Sequence, residues 1–372
     1  MPDSTRFVGL DVHRDSIAVA VAPAVGPIEL VTELPHHLPK VRKLMSRLLE
    51  AGPLRVCYEA SGCGYGLQRA LSSWGIPCEV VAPSLIPQMA GDRRKTDERD
   101  AKKLALLYRA GHLTPVAVPT EAEERVRGLT RSREAFTRDI HVSKQHVLKL
   151  LQLRGHVFRG GKKAWTGAFR EWLVTVLGSM HPLDRLVLSS HLAVLEQKEL
   201  LRKGLDAEIE KVAQEEPYRG VVARLRCLRG VDTLTALSLV VEIGDVSRFA
   251  SPRRLMGYVG LTVSEHSSGH TQRRGGITKA GNSRCRRLLI EAAWNYRHAP
   301  RDGVTIKKRR EGQEPLAVAH AVRAQQRLHR RFHRLLERMP SQKAVTAVAR
   351  ELVGFVWAQM RGTPDALAES VR

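Results

Sequence analysis

Two apolar runs separated by three polar residues constrain the start of this chain. FVGLDV (7–12) and SIAVAVA (16–22) flank His13–Arg14–Asp15. Both runs suit extended backbone, and the spacing predicts a β-hairpin over residues 6–22. A helix is expected over about 38–50, where Val41, Leu44, Leu48 and Leu49 recur at helical spacing. LRVCYEA (54–60) reads as a short buried strand, Tyr65 to about Trp74 as a helix, and PCEVVA (77–82) as another strand. Pro83 and Pro87 frame a loop, and a helix begins near Thr96. Thr96 suits an N-cap, with Asp97 and Glu98 in the favourable first turn. That helix runs to about Arg109 and closes at Gly111. A hairpin followed by alternating helix and strand is an α/β pattern.

Four acids occupy telling positions in that pattern. Asp11 and Glu59 lie at the ends of two apolar strands, and Asp97 and Asp100 sit three apart on one helix. Residues three apart share a helix face, so a helix packed across the sheet could aim both at the strand ends. Carboxylates crowded together repel one another unless cations are present. Oxygen ligands are what Mg²⁺ or Mn²⁺ requires, and paired ions serve phosphodiester chemistry. Asp15, Asp92 and Glu98 are nearby acids without that placement, and Asp92 reads as part of a solvated loop.

The acids stand in a very basic chain. The sequence has 61 Lys and Arg against 38 Asp and Glu, a net charge of +23. This favours a nucleic-acid partner. Aromatic residues make up only 5% of the 372 positions, so base stacking is not expected to dominate binding. None of the five cysteines forms a CxxC pair, which fits a reducing cytoplasm and excludes a thiolate zinc ribbon. Asp11 interrupts the only apolar stretch near the start, so neither a signal peptide nor a membrane span is expected.

Residues 120–216 read as helical nearly throughout, with a break at 155–168. The 189–216 stretch fits either a coiled coil or a helix pair packed within one chain. Residues 222–244 read as helix, turn, helix about Gly230–Val231–Asp232, resembling a helix-hairpin-helix or forming an ordinary helical hairpin. A polar, glycine-rich loop is expected over 262–282, then a helix over about 283–298. Beyond residue 300 the chain reads as helical and basic. Arg323, Arg327, Arg330, Arg331, Arg334 and Arg338 are opposed locally only by Glu337, and the last ten residues are expected to fray.

The loop is a second site candidate. Its glycines permit close backbone approach to phosphate, and the following helix offers free amides at its start. Arg273, Arg274 and Lys279 in the loop, with Arg284, Arg286 and Arg287 on the helix, are candidate nucleic-acid contacts. Ser267 or Ser268 could attack or anchor a phosphodiester, with His266 and His270 nearby, but composition alone supports only phosphate binding.

FVGLDVHRDSIAVAV, YEASGCGYG, KTDERDAKKLALL and the segment from GYVGL through SSGHTQRRGGITKAGNSRCRRLLIEAA together resemble the IS-one-ten (IS110) family of DEDD transposases. The motif order matches over about 6–300. The resemblance implies an α/β RuvC-like (RNase H fold) domain over 1–115 and a helical coiled-coil region over 116–220. A mainly α transposase domain over 221–345 and a C-terminal helix and tail over 346–372 would follow. It implies that Asp11, Glu59, Asp97 and Asp100 bind divalent metal and that Ser268 is the nucleophile forming a phosphoserine link to DNA. It further implies donor and target DNA, a structured guide RNA encoded by the element, and a homo-oligomer, dimeric and then tetrameric in the synaptic complex. A metal-dependent junction nuclease without a covalent intermediate, and a non-catalytic nucleic-acid-binding protein, are the competing readings.

Overall fold

The computed structural model describes residues 5–87, 96–161, 163–265, 268 and 273–369. The chain divides into two compact units, Met1–Pro119 and Thr120–Arg372.

Unit 1 is a mixed sheet covered on both faces. Its strands are β1 (Arg6–Val12), β2 (Ser16–Pro23), β3 (Leu30–Pro35), β4 (Leu54–Glu59) and β5 (Cys78–Val81). Their spatial order is β3-β2-β1-β4-β5. β1, β2 and β3 pair antiparallel, whereas β1, β4 and β5 pair parallel. This mixed α/β sheet is consistent with the expected RuvC-like domain. The helices α1 (Leu38–Glu50), α2 (Gly66–Ser73) and α3 (Asp97–Arg109) accompany it.

Strand alternation gives the two faces different textures. Val8, Leu10 and Val12 of β1 and Ile17, Val19 and Val21 of β2 form one core with Val41, Met45 and Leu48 of α1 and Leu67 and Leu71 of α2. The opposite face is made of small residues. Ala18, Ala20 and Ala22 meet Ala101 and Ala105 of α3. Gly9 completes that floor: a Cβ there would lie 2.3 Å from the Ala101 carbonyl oxygen and 2.4 Å from the Ala105 nitrogen. The α3 backbone therefore rests directly on β1, which sets the height of its first turn above the strand ends.

The hairpin, α1, α2, β4, β5 and α3 follow the sequence expectation closely. β3 has no counterpart in that expectation. It is an edge strand with a mixed buried and exposed pattern, so its alternation is weak.

Unit 2 is mainly helical. α4 (Glu121–Leu153), α5 (Gly167–Ser179) and α6 (Pro182–Val212) come first. Arg154 pairs with Asp184 at 2.9 Å, Lys198 with Ser143 at 3.1 Å and Arg133 with Asp206 at 2.7 Å, so α4 and α6 run antiparallel. This is the helix pair within one chain that the pattern allowed. α7 (Tyr218–Arg226), α8 (Thr233–Ile243) and α9 (Pro252–Tyr258) lead to β6 (Val263–Glu265) and β7 (Arg274–Ile277). α10 (Ser283–Ala293), α11 (Val304–Arg310), α12 (Pro315–Leu336), α13 (Ser341–Arg361) and α14 (Pro364–Glu369) complete it. One core joins α7, α8, α9, α10, α12 and α13, with α13 nearly enclosed.

Three expectations change here. The glycine-rich loop contains a two-stranded hairpin, because Val263 pairs with Ile277 and the Ser264 hydroxyl donates to the Gly276 carbonyl at 3.0 Å. The expected frayed tail includes α14, whose Ala366 and Leu367 are buried in the core. The arginines of α12 also have partners beyond Glu337. Arg327 pairs with Glu351 of α13, and Arg331 lies 3.9 Å from the same carboxylate. No helix among the described residues is long and apolar enough to cross a membrane.

Candidate metal centre and serine hairpin

Asp11 follows Gly9 by two residues, so its side chain leaves β1 on the α3 face. Thr96 caps α3, its hydroxyl accepting from the Arg99 amide at 3.3 Å, and Asp97 and Asp100 occupy the first turn. The close seat at Gly9 brings that turn to the end of β1. His13 completes the group. Its Nε2 lies 3.3 Å from Asp11 Oδ2 and 3.4 Å from Asp97 Oδ1. One ligand atom from each of Asp11, His13 and Asp97 falls within 4.8 Å of the others.

The backbone holds His13 in place. Its amide donates to the Ser16 carbonyl at 2.9 Å across the hairpin. Its carbonyl lies 2.7 Å from His36 Nδ1. The Asp11 side chain is only 16% exposed, against 49% for His13 and 51% for Asp97. Burial raises the Asp11 carboxyl above its ordinary range; His13 opposes that, while the charges of Asp97 and Asp100 add to it. A partly desolvated carboxylate beside two others is relieved by a cation. Carboxylate oxygens with an imidazole nitrogen form a donor set that suits a divalent ion.

Glu59 and Asp100 flank this group rather than join it. Leu10 lies opposite Tyr58, so Asp11 and Glu59 follow at the same end of two adjacent parallel strands. The Cys57 thiol donates to the Leu104 carbonyl of α3 at 3.8 Å, which places Glu59, two residues on, on the α3 face. His13 is the residue that sequence reasoning missed. Local pattern places it in the turn between β1 and β2, and its two-residue spacing from Asp11 is the one signal that points to the site.

The serine hairpin is built differently. Ser268 is exposed, whereas Ser267, His266 and His270 lie outside the described residues. Arg273 and Lys279 are also exposed, and Arg274 opens β7 opposite Glu265. The base of the hairpin is held by several contacts. Gly281 has a φ of 69°, and a Cβ there would meet the Tyr258 carbonyl oxygen at 2.0 Å. Asn282 caps α10, its Oδ1 accepting from the Arg284 and Cys285 amides at 3.0 Å each. Its Nδ2 donates to Glu242 Oε2 at 2.9 Å. Glu242, only 3% exposed, also accepts from Arg131 Nε at 2.7 Å and Nη2 at 3.0 Å. Burial would raise its carboxyl, but hydrogen bonds from Arg131 and Asn282 outweigh that and hold it below the usual range.

The helical cations of the candidate nucleic-acid set have partners within the protein. Arg286 donates to the Val259 and Ala280 carbonyls at 2.9 and 3.1 Å, bracing the hairpin base. Arg284 and Arg287 pair with Glu134, and Arg287 also with Glu291 at 2.9 Å. The Gly230–Val231–Asp232 turn packs inward: Val231 is buried, and the Asp232 carboxylate accepts from the Thr235 amide at 2.8 Å.

Comparison with known proteins bears on both regions. A DEDD transposase profile of the IS110 type matches residues 8–154, and one described as "Transposase IS116/IS110/IS902 family" matches residues 222–304. The y4qE protein of Sinorhizobium fredii, named as a candidate transposase, is 40% identical over 359 residues, covering 95% of this chain and 88% of that protein. The transposase for insertion sequence element IS1533 of Leptospira borgpetersenii is 34% identical over 336 residues, covering 88% and 96% respectively. The chain therefore belongs to the IS116/IS110/IS902 family of insertion-sequence transposases, enzymes that cleave and transfer DNA.

Proposed function

We propose that this transposase cuts and rejoins DNA through a phosphoserine intermediate, with Asp11, Glu59, Asp97 and Asp100 holding divalent metal and Ser268 supplying the attacking oxygen. The observation that carries the metal half is the convergence of Asp11, His13 and Asp97 at the end of β1. A bound divalent ion, Mg²⁺ or Mn²⁺, would supply Lewis-acid stabilisation of phosphate charge. The Ser268 oxygen would form a bond to phosphorus as the bond to a deoxyribose oxygen breaks. The strand would then stay joined to the protein until a deoxyribose hydroxyl displaces the serine.

The exposure of Ser268 on a hairpin with a braced base supports this role, as does cationic Arg273 in the same loop. We further propose that the net charge of +23 serves donor and target DNA together with a structured guide RNA from the element. A homo-oligomer acting in a reducing cytoplasm completes the reading.

The test is to trap a protein–DNA adduct that resists SDS, using the element's own end sequences and its flanking non-coding RNA. Wild type should give the adduct, Ser268→Ala should not, and Ser267→Ala should retain it. Cleavage without any adduct would point instead to hydrolysis by water, and an undiminished adduct in Ser268→Ala would remove the serine from the reaction.

A further inference from the structure

We propose that His13 is a nitrogen ligand of the divalent site, and that it biases the site towards Mn²⁺ over Mg²⁺. This rests on the metal-binding reading of Asp11 and Asp97. It goes beyond the acidic quartet by adding a donor of a different element.

The geometry carries the inference. His13 Nε2 stands 3.3 Å from Asp11 Oδ2 and 3.4 Å from Asp97 Oδ1. Ligand atoms about 2.1–2.3 Å from one ion and adjacent around it are separated by roughly 3.0–3.5 Å. The three side chains thus sit at spacings at which one ion could bind all of them. They come from separate pieces of the fold, namely a strand end, a hairpin turn and a helix start. The two bonds to the His13 main chain, from its amide to Ser16 and at its carbonyl to His36, fix where the ring leaves the backbone. Half the side chain remains exposed, which leaves the ring open to an arriving ion.

The chemistry gives the selectivity. Mg²⁺ prefers oxygen and gives up its waters reluctantly. Imidazole nitrogen suits first-row transition ions, so replacing one oxygen position with Nε2 favours Mn²⁺ relative to Mg²⁺. The alternative is that His13 bridges the two carboxylates only in the ion-free protein and leaves when metal arrives. These two roles differ in whether nitrogen is bonded to the ion.

Pulsed EPR on the full-length protein with Mn²⁺ alone distinguishes them. Wild type should bind Mn²⁺ and show echo modulation from a directly bonded ¹⁴N. His13→Gln should still bind Mn²⁺, about tenfold more weakly and without that modulation. Mg²⁺ affinity, measured by displacement of Mn²⁺, should change by less than about threefold. Mn²⁺ binding that depends on Asp11 but lacks ¹⁴N modulation in wild type would overturn the His13 role and leave the metal site standing. Modulation that persists in His13→Gln would do the same. Absence of Mn²⁺ binding, or binding unaffected by Asp11→Asn, would overturn the metal site and the His13 role together.

Discussion

At the acidic edge, the candidate side chains leave elements that are buried against each other; at the serine hairpin, the candidate serine is exposed and the described contacts gather at the base. Asp11 and Asp97 are placed by a glycine and alanine floor on which α3 rests. Ser268 is exposed, and Gly281, Asn282, Glu242 and Arg131 form a packed, hydrogen-bonded foot to the hairpin. The difference fits the two tasks proposed for these regions. Metal ligands must hold ångström-scale spacing, so they gain from rigid elements. A nucleophile that attacks a long, moving polymer gains from reach, provided that its stem is anchored.

The contrast can be broken most severely at Gly9. Gly9→Val would force α3 off β1, because even a Cβ meets backbone atoms at 2.3 and 2.4 Å. A loss of about 3 kcal/mol is expected in denaturant unfolding. Mn²⁺ binding should weaken with it, since Asp97 moves with α3. Full stability in this variant would show that the floor does not set the helix position.

Glu242→Ala attacks the stem of the other region. It leaves Arg131 and Asn282 without their shared acceptor, for an expected loss of about 2–3 kcal/mol, limited because Arg131 is half exposed. The Glu242 carboxyl is held low in the folded protein. Its contribution is therefore present above the ordinary carboxylate range and is lost as pH falls through the folded value. Calorimetric scans of wild type and variant should converge in acid. A constant difference down to low pH would contradict the pairing.

Asp11→Asn should act in the opposite direction on stability. The Asp11 carboxyl is raised in the folded protein, so ionising it costs stability as pH rises from the ordinary value through the folded one. At neutral pH and without metal, the variant should be more stable by about 0.5–1 kcal/mol, the gain common where a functional site carries strain. Thermal unfolding in a chelator measures this, and added Mn²⁺ should stabilise wild type alone. A destabilised variant would mean that Asp11 is a structural acid.

The smallest effect is expected at an exposed pair that belongs to neither region. Arg125 and Glu121 are exposed and form one i, i+4 pair on α4. Arg125→Ala should cost less than about 0.5 kcal/mol and leave adduct formation unchanged. It serves as the baseline for the larger effects.

Much of unit 1 was legible because its strands and helices have strong periods and clear caps. Thr96 and the apolar positions of 38–50 predicted two helices at nearly their observed bounds. β3 escaped because an edge strand carries a diluted pattern. β6 escaped because it is only three residues long, and β7 because Gly275 and Gly276 make it resemble a loop. At the candidate metal site the acids were readable as strand-end and helix-start residues, whereas His13 showed only its spacing from Asp11. Its partner Asp97 lies on a helix that only the sheet brings near. The same limit applies to Arg327 and Glu351, distant in sequence and paired across two helices. Local patterns reveal elements and their ends; partners across the fold require packing.

The central claim is that the acidic edge of unit 1 holds the metal for DNA cleavage. Its most direct test is cleavage of the element's end DNA by wild type and by Asp11→Asn, with Mg²⁺, with Mn²⁺ and in chelator. Wild type should cleave only with a divalent ion, and Asp11→Asn should lose roughly a hundredfold or more while remaining folded. Cleavage by wild type in chelator, or undiminished cleavage by a folded Asp11→Asn protein, would contradict it.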